Sequence, residues 1–178
     1  LRVQMGRPGK DDPTSLTTMG NIAAALNSLG KFPEAETMLR EQLAGAQRVW
    51  GQEHRTTLAA QVNLAFNLRQ QGRRDEALTL IVDALPIQKR ILGSEHSDTI
   101  ASLNTLWALY NETKRYEDAR RVAAEAYETA GRALGEKDVT TLTAMHNLGG
   151  ALIHLDRLDE AETLFVRNID LCKSVYPA

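Results

Sequence analysis

The sequence predicts an all-α fold, a solenoid of helix-turn-helix units stacked side by side. Two observations carry that reading: a spacing of 42 residues that recurs along the chain, and apolar stripes at helical periodicity inside each period. Leu16, Leu58, Ile100 and Leu142 keep the spacing, as do Asn21, Asn63 and Asn147, the column Ala35, Ala77, Ala119 and Ala161, and the glycines Gly51, Gly93 and Gly135. A fixed period without insertions means one supersecondary unit copied in tandem, each copy touching only its neighbours. The units are expected over residues 10–51, 52–93, 94–135 and 136–178. Residues 1–9 read as the tail of a preceding unit, since Leu1 falls in register with Leu43 and Gly9 with Gly51. Pro177 stands in the column of the closing glycines and no terminal element with a polar outer face follows, so the sequence reads as a piece of a longer protein.

In the second unit Leu58, Gln61, Leu64, Ala65 and Leu68 form the stripe of a first helix. The first unit repeats it with Leu16, Met19, Ile22, Ala23 and Leu26, the third with Ile100, Leu103, Leu106, Trp107 and Tyr110, the fourth with Leu142, Met145, Leu148, Gly149 and Leu152. Thr14, Thr56, Asp98 and Thr140 are suited to cap these helices. Gly30 and Gly72 are suited to end two of them in a left-handed turn, where Lys114 and Asp156 stand in the later units and make a poorer stop. Second helices are expected to begin at Pro33, Asp75, Glu117 and Asp159, since proline and acids suit a first helical turn. Their inner face reads Ala35, Met38, Leu39, Leu43, Ala46 and Val49 in unit one, and Ala77, Leu80, Ile81, Ala84, Leu85 and Ile91 in unit two. Alanine in the first of these columns allows the helices to approach closely. Pro86 lies inside a second helix and predicts a kink, and Trp107 replaces a small residue, so unit three is expected to pack more openly or to turn the indole aside.

Composition narrows the function. With 21 basic against 23 acidic side chains and no Lys/Arg block, neither nucleic acid nor an anionic membrane is the expected partner. Cys172 is the single cysteine, so no internal disulfide forms and a reducing, cytoplasmic setting is expected. No apolar run reaches the roughly 20 residues of a membrane span. Catalysis has no foothold, because no phosphate loop, nucleophile elbow or helical metal pair is present. His146 and His154, eight positions apart, stand about 12 Å apart along a helix, too far to share a metal. His54 and His96 occupy one loop column and read as loop caps. No catalytic residue, metal site or cofactor is expected.

The short motif Asn63-Leu64-Ala65, followed by Leu68, Gly72, Glu76-Ala77 and Ala84, resembles the tetratricopeptide repeat, whose usual unit is 34 residues long. The 42-residue unit and the loop Leu92-Gly93-Ser94-Glu95-His96 are similar to the version found in kinesin light chains, and similar arrays occur in signalling ATPases and kinases. The resemblance covers residues 9–178 and implies a right-handed superhelix whose first helices line a concave groove that binds an extended peptide or a short helix.

Residues flanking each buried stripe are expected to face that groove, and the contact set is Asn21, Asn63, Phe66, Arg69, Asn104, Asn111, His146 and Asn147. Asparagine is a middling helix former, so its recurrence in mid-helix needs a reason. An amide supplies both donor and acceptor and suits a peptide backbone, or else it bonds the neighbouring helix and holds the stack together. Asn104 and Asn111 are the ones expected to be free. Phe66 and Ile153 either seat an apolar anchor or pack. The expected role is a scaffold that binds a protein or peptide. The rival reading is a regulatory segment of a larger signalling ATPase or kinase, and a third is self-association through exposed solenoid ends.

Overall fold

The computed structural model describes residue 9 and residues 11–175, so the expected tail over residues 1–8 and the role of Pro177 lie outside the described residues. The described residues form eight α-helices and no strand: α1 Pro13–Ser28, α2 Phe32–Trp50, α3 Arg55–Gln70, α4 Arg74–Ile91, α5 Ser97–Glu112, α6 Tyr116–Leu134, α7 Val139–His154 and α8 Leu158–Val175. They fall into two compact units that divide within α4, after Leu80. In the first, α2 packs against α1 and α3; in the second, α6 packs against α5 and α7, and α7 against α8.

The turn chemistry explains the regularity. Gly30 and Gly72 end first helices at φ 72° and 78°, and the replacements Lys114 and Asp156 are forced into the same left-handed region at φ 60° and 59°. A side chain there is uncommon and strained, which fits the poorer stop read from the sequence. The N-caps lie two residues before the expected ones. Asp12, His54, His96 and Asp138 hold them, and their side chains accept from the backbone N–H of Thr14, Thr56, Asp98 and Thr140. Thr14, Thr56, Asp98 and Thr140 are thus the residues being capped, and the two loop histidines are caps as expected. Second helices start one residue earlier than expected, at Phe32, Arg74, Tyr116 and Leu158. α4 runs on through the exposed Pro86, which donates no backbone hydrogen bond to the turn before it.

A pair of hydroxyls closes the loops. Thr57 and Thr99, both fully buried, donate to the carbonyls of Gly51 and Gly93 at 2.8 and 2.9 Å. Thr141 stands in the same column, buried with its Oγ1 unpartnered.

The core follows the predicted stripes. Leu16, Leu58, Ile100 and Leu142 are buried, and Ala35, Ala77, Ala119 and Ala161 are buried against their neighbours. Three expected core residues are exposed instead. Ile22 is 45% exposed because no helix precedes α1 among the described residues, whereas its column mate Leu64 sits in α3, which α2 and α4 both touch. Val49 and Ile91 lie in the last turns of second helices of 19 and 18 residues, which outrun the 16-residue first helices and so lack a partner there. Unit four accommodates its small Gly149 directly: a methyl group built there would stand 2.7 Å from the Phe165 ring of α8. In the preceding helix pair the same two positions hold Trp107 and the buried Ala123, so the bulk sits on the first helix rather than the second. Trp107 is half-buried, with its Nε1 enclosed and unpartnered.

Candidate binding face of the first helices

Charge is distributed very unevenly between the two kinds of helix. The four first helices carry only Arg55, Arg69, Asp98 and Glu112, each in a terminal turn, while α2, α4, α6 and α8 carry five, six, seven and six charged residues. A solvated helix face ordinarily carries charge. The exposed middle of the first helices carries amides, hydroxyls and apolar groups instead: Asn21, Ile22 and Ala24 on α1, Asn63 and Phe66 on α3, His146 and Ile153 on α7. This asymmetry is written in the sequence and is missed by following columns of identical residues.

In the first compact unit, α1 and α3 enclose a hollow of about 340 Å³ lined by Gly20, Ala24, Asn27, Ser28, Asn63 and Phe66, with Leu39 of α2 among its walls. It joins Asn63 and Phe66 of the expected contact set with Gly20, Ala24 and Asn27, which flank the α1 stripe. Asn21 is exposed on α1 but does not line it, and Arg69 is half-buried one turn beyond Phe66.

A polar network fixes the edge of this hollow. Asn67 is fully buried; its Nδ2 donates to Asn27 Oδ1 at 2.7 Å and to the Phe32 carbonyl at 3.0 Å, while its Oδ1 accepts from Gln71 at 2.8 Å. Gln71 also donates to Glu36, which accepts from Arg73 at 2.7 and 2.8 Å and from Arg40 at 2.8 Å. Arg73 reaches on to Glu76 at 2.6 Å. Burial pushes the Glu36 carboxyl up, but the hydrogen bonds from Gln71, Arg40 and Arg73 and the Arg73 charge outweigh it and hold the group below the ordinary glutamate range. The network takes the oxygen of Asn27 and leaves its NH₂ at the hollow. Column reading misses Asn67, whose register mates are Ala25, Leu109 and Ala151. The available signal is the amide itself in a column that is otherwise apolar.

In the second compact unit the asparagines behave differently. Asn147 is buried, and its Nδ2 donates to Asn104 Oδ1 at 3.4 Å, so this pair ties α7 to α5 and Asn104 is not free. Asn111 is half-buried with its Oδ1 enclosed and unpartnered. His146 is exposed and meets the Phe165 ring edge-on at 5.3 Å; it also borders an open hollow of about 310 Å³ with Val139, Leu142, Thr143, Asn168 and Cys172. His154 stacks on Tyr116 at 4.3 Å. Among the described residues no three His, Cys, Asp or Glu side chains stand together as a metal site would need, and no helix is long and apolar enough to cross a membrane.

The family model described as tetratricopeptide repeat matches residues 14–87, 56–132 and 106–174. No curated protein matches the chain. Among solved structures, it is similar to the nearly identical TPR-like repeats of a protein named for kinesin light chain from Podosopora anserina, at 23% identity and TM-score 0.80, over 98% of this chain and 82% of that one. It is similar also to BtubC (BKLC) from P. vanneervenii, at 23% identity and TM-score 0.82 over 93% and 65% of the two chains. The apo form of RapI aligns at 14% identity and TM-score 0.80 over 97% and 59%. With the family model spanning nearly all described residues, and with these folds alike, the chain belongs to the tetratricopeptide repeat family.

Proposed function

We propose that this chain is a protein-interaction scaffold whose first-helix faces bind an extended peptide or short helix of a partner protein. The observation that carries the reading is the charge-free middle of the first helices, exposed on α1, α3 and α7, beside heavily charged second helices. Asn21 and Asn63 are exposed there and have no side-chain hydrogen bond among the described residues, so each offers a donor and an acceptor to a ligand backbone. Phe66 supplies apolar area beside them, and Arg69 lies one turn beyond it at the end of α3. On the later helices Asn111 and His146 take the corresponding part, with the Asn104–Asn147 pair setting the spacing of α5 and α7.

The test is a pull-down with the wild-type chain, an Asn21→Ala/Asn63→Ala variant and, as control, Glu128→Ala on a second helix. A protein retained by wild type and control and lost by the double variant, at an unchanged thermal midpoint, is the expected result. Equal capture by all three removes the first helices as the binding face. A drop of the midpoint by several degrees assigns the amides to the stack instead.

A further inference from the structure

We propose that the hollow between α1 and α3 receives one bulky apolar side chain of the bound segment, and that the residues flanking that side chain are uncharged. This rests on the first helices being the binding face and goes further by naming the chemistry of the ligand. The hollow exists because of a difference between neighbouring columns. Gly20 and Ala24 of α1 stand in register with Val62 and Phe66 of α3, so α1 lacks the bulk that the next first helix carries. Glycine at position 20 has a packing reason only as firm as the rotamer of the buried Gln42, since a Cβ there would lie 2.5 Å from the amide end of that flexible side chain. Ala24 has none: it is exposed on the hollow, and its small size leaves the space open.

The lining sets the ligand. A volume of about 340 Å³ lies at the low end of the roughly 300–1,000 Å³ of small-molecule sites and suits a single Leu, Ile, Met or Phe side chain. Leu39 and the Phe66 ring give it an apolar contact surface. No lining residue is charged, so a charged group entering would lose water without gaining a counter-ion. Polar capacity comes from three side chains: the Ser28 hydroxyl already donates to the Ala24 carbonyl, while the NH₂ of Asn27 and the whole amide of Asn63 are unpartnered among the described residues and within reach of the backbone on either side of the inserted residue. An anchor in a pocket with backbone amides held at its rim is how a few contacts come to dominate an interface. With no ion pair in the contact, affinity should hardly respond to salt.

The experiment is selection of random peptides of about 12 residues on the whole chain, followed by fluorescence anisotropy of an enriched peptide against wild type, Ala24→Phe, Ala24→Leu and Asn63→Ala. Enriched sequences should share one Leu, Ile, Met or Phe between uncharged neighbours, and replacing that residue by alanine should abolish binding. Raising NaCl from about 50 to about 500 mM should change Kd less than about threefold. Filling the hollow with Ala24→Phe should weaken binding at least about tenfold with the circular dichroism and thermal midpoint unchanged; Ala24→Leu serves if the larger ring disturbs the fold. Full affinity in both filled variants, with loss in Asn63→Ala, overturns the hollow and leaves the binding face standing. Enrichment of charged peptides with strongly salt-dependent affinity overturns the stated chemistry. Indifference to every one of these substitutions, or no enrichment, overturns the hollow and the binding face together.

Discussion

At Glu36 burial and charge pull in opposite directions, and the hydrogen bonds decide. Its carboxylate receives Gln71, Arg40 and Arg73 and is held below the ordinary glutamate range. A depressed folded-state acid contributes stability that is present above its unfolded pKa, about 4.3, and lost as pH falls through the lower folded value. Glu36→Gln should therefore cost about 1–3 kcal/mol at pH 7 and progressively less below about pH 4, with the wild-type and variant urea midpoints converging in acid. A constant difference down to pH 2 would assign the cost to packing alone. The caps offer a second residue-scale test. Asp12 and Asp138 cap with a carboxylate, whereas His54 and His96 cap through the ring Nδ1 at 3.2 and 3.1 Å. A carboxylate also complements the positive end of the helix, so His54→Asp or His96→Asp should raise stability by about 0.3–1 kcal/mol, read as a higher thermal midpoint. The ring of His54 stacks on Trp50 at 5.3 Å, so the gain should be the smaller of the two at that site.

Between helices, fit is set by which partner is large. Ala77 is fully buried in α4, and Ala77→Leu should lose about 1–3 kcal/mol by overpacking, measured by denaturant unfolding. Gly149→Ala should be destabilising because its methyl would strike the Phe165 ring, and Phe165→Leu, which restores the residue seen at Leu39 in the same column, should recover much of the loss in the double variant. Additive losses would show that the two positions do not share a space. These elements were largely legible in advance, because the repeat repeats its punctuation. The caps were displaced by two residues because Thr14, Thr56 and Thr140 are good cap residues by type, while the chain places an acid or a histidine just before them. Ile22 failed because a column shows which face turns inward without showing whether a helix lies there to receive it. The amides were the hardest to read. Asn63 and Asn147 share a column, yet one is exposed and the other buried against Asn104. The column was blind to what stands opposite.

Across the whole molecule, helices differ in how much they bury. α6 buries six residues and α8 buries Ala161 alone, so amide hydrogen exchange should be fastest in α8 among the second helices and slow in α6. Equal protection would mean that α8 is held by contacts beyond those described. The concentration of charge on the second helices keeps a solvated exterior while freeing the first helices to carry amides and apolar groups. That division needs no alignment to see, only counting by helix rather than by column.

The exchange of bulk between Trp107/Ala123 and Gly149/Phe165 bears on how such a chain evolves. Tandem copies invite unequal crossing-over, but a hybrid joining the third unit's first helix to the fourth unit's second would set an indole against a benzene ring, and the reciprocal hybrid would leave a void between glycine and alanine. The third and fourth units have become incompatible halves at this seam, so a crossover inside a unit is penalised there.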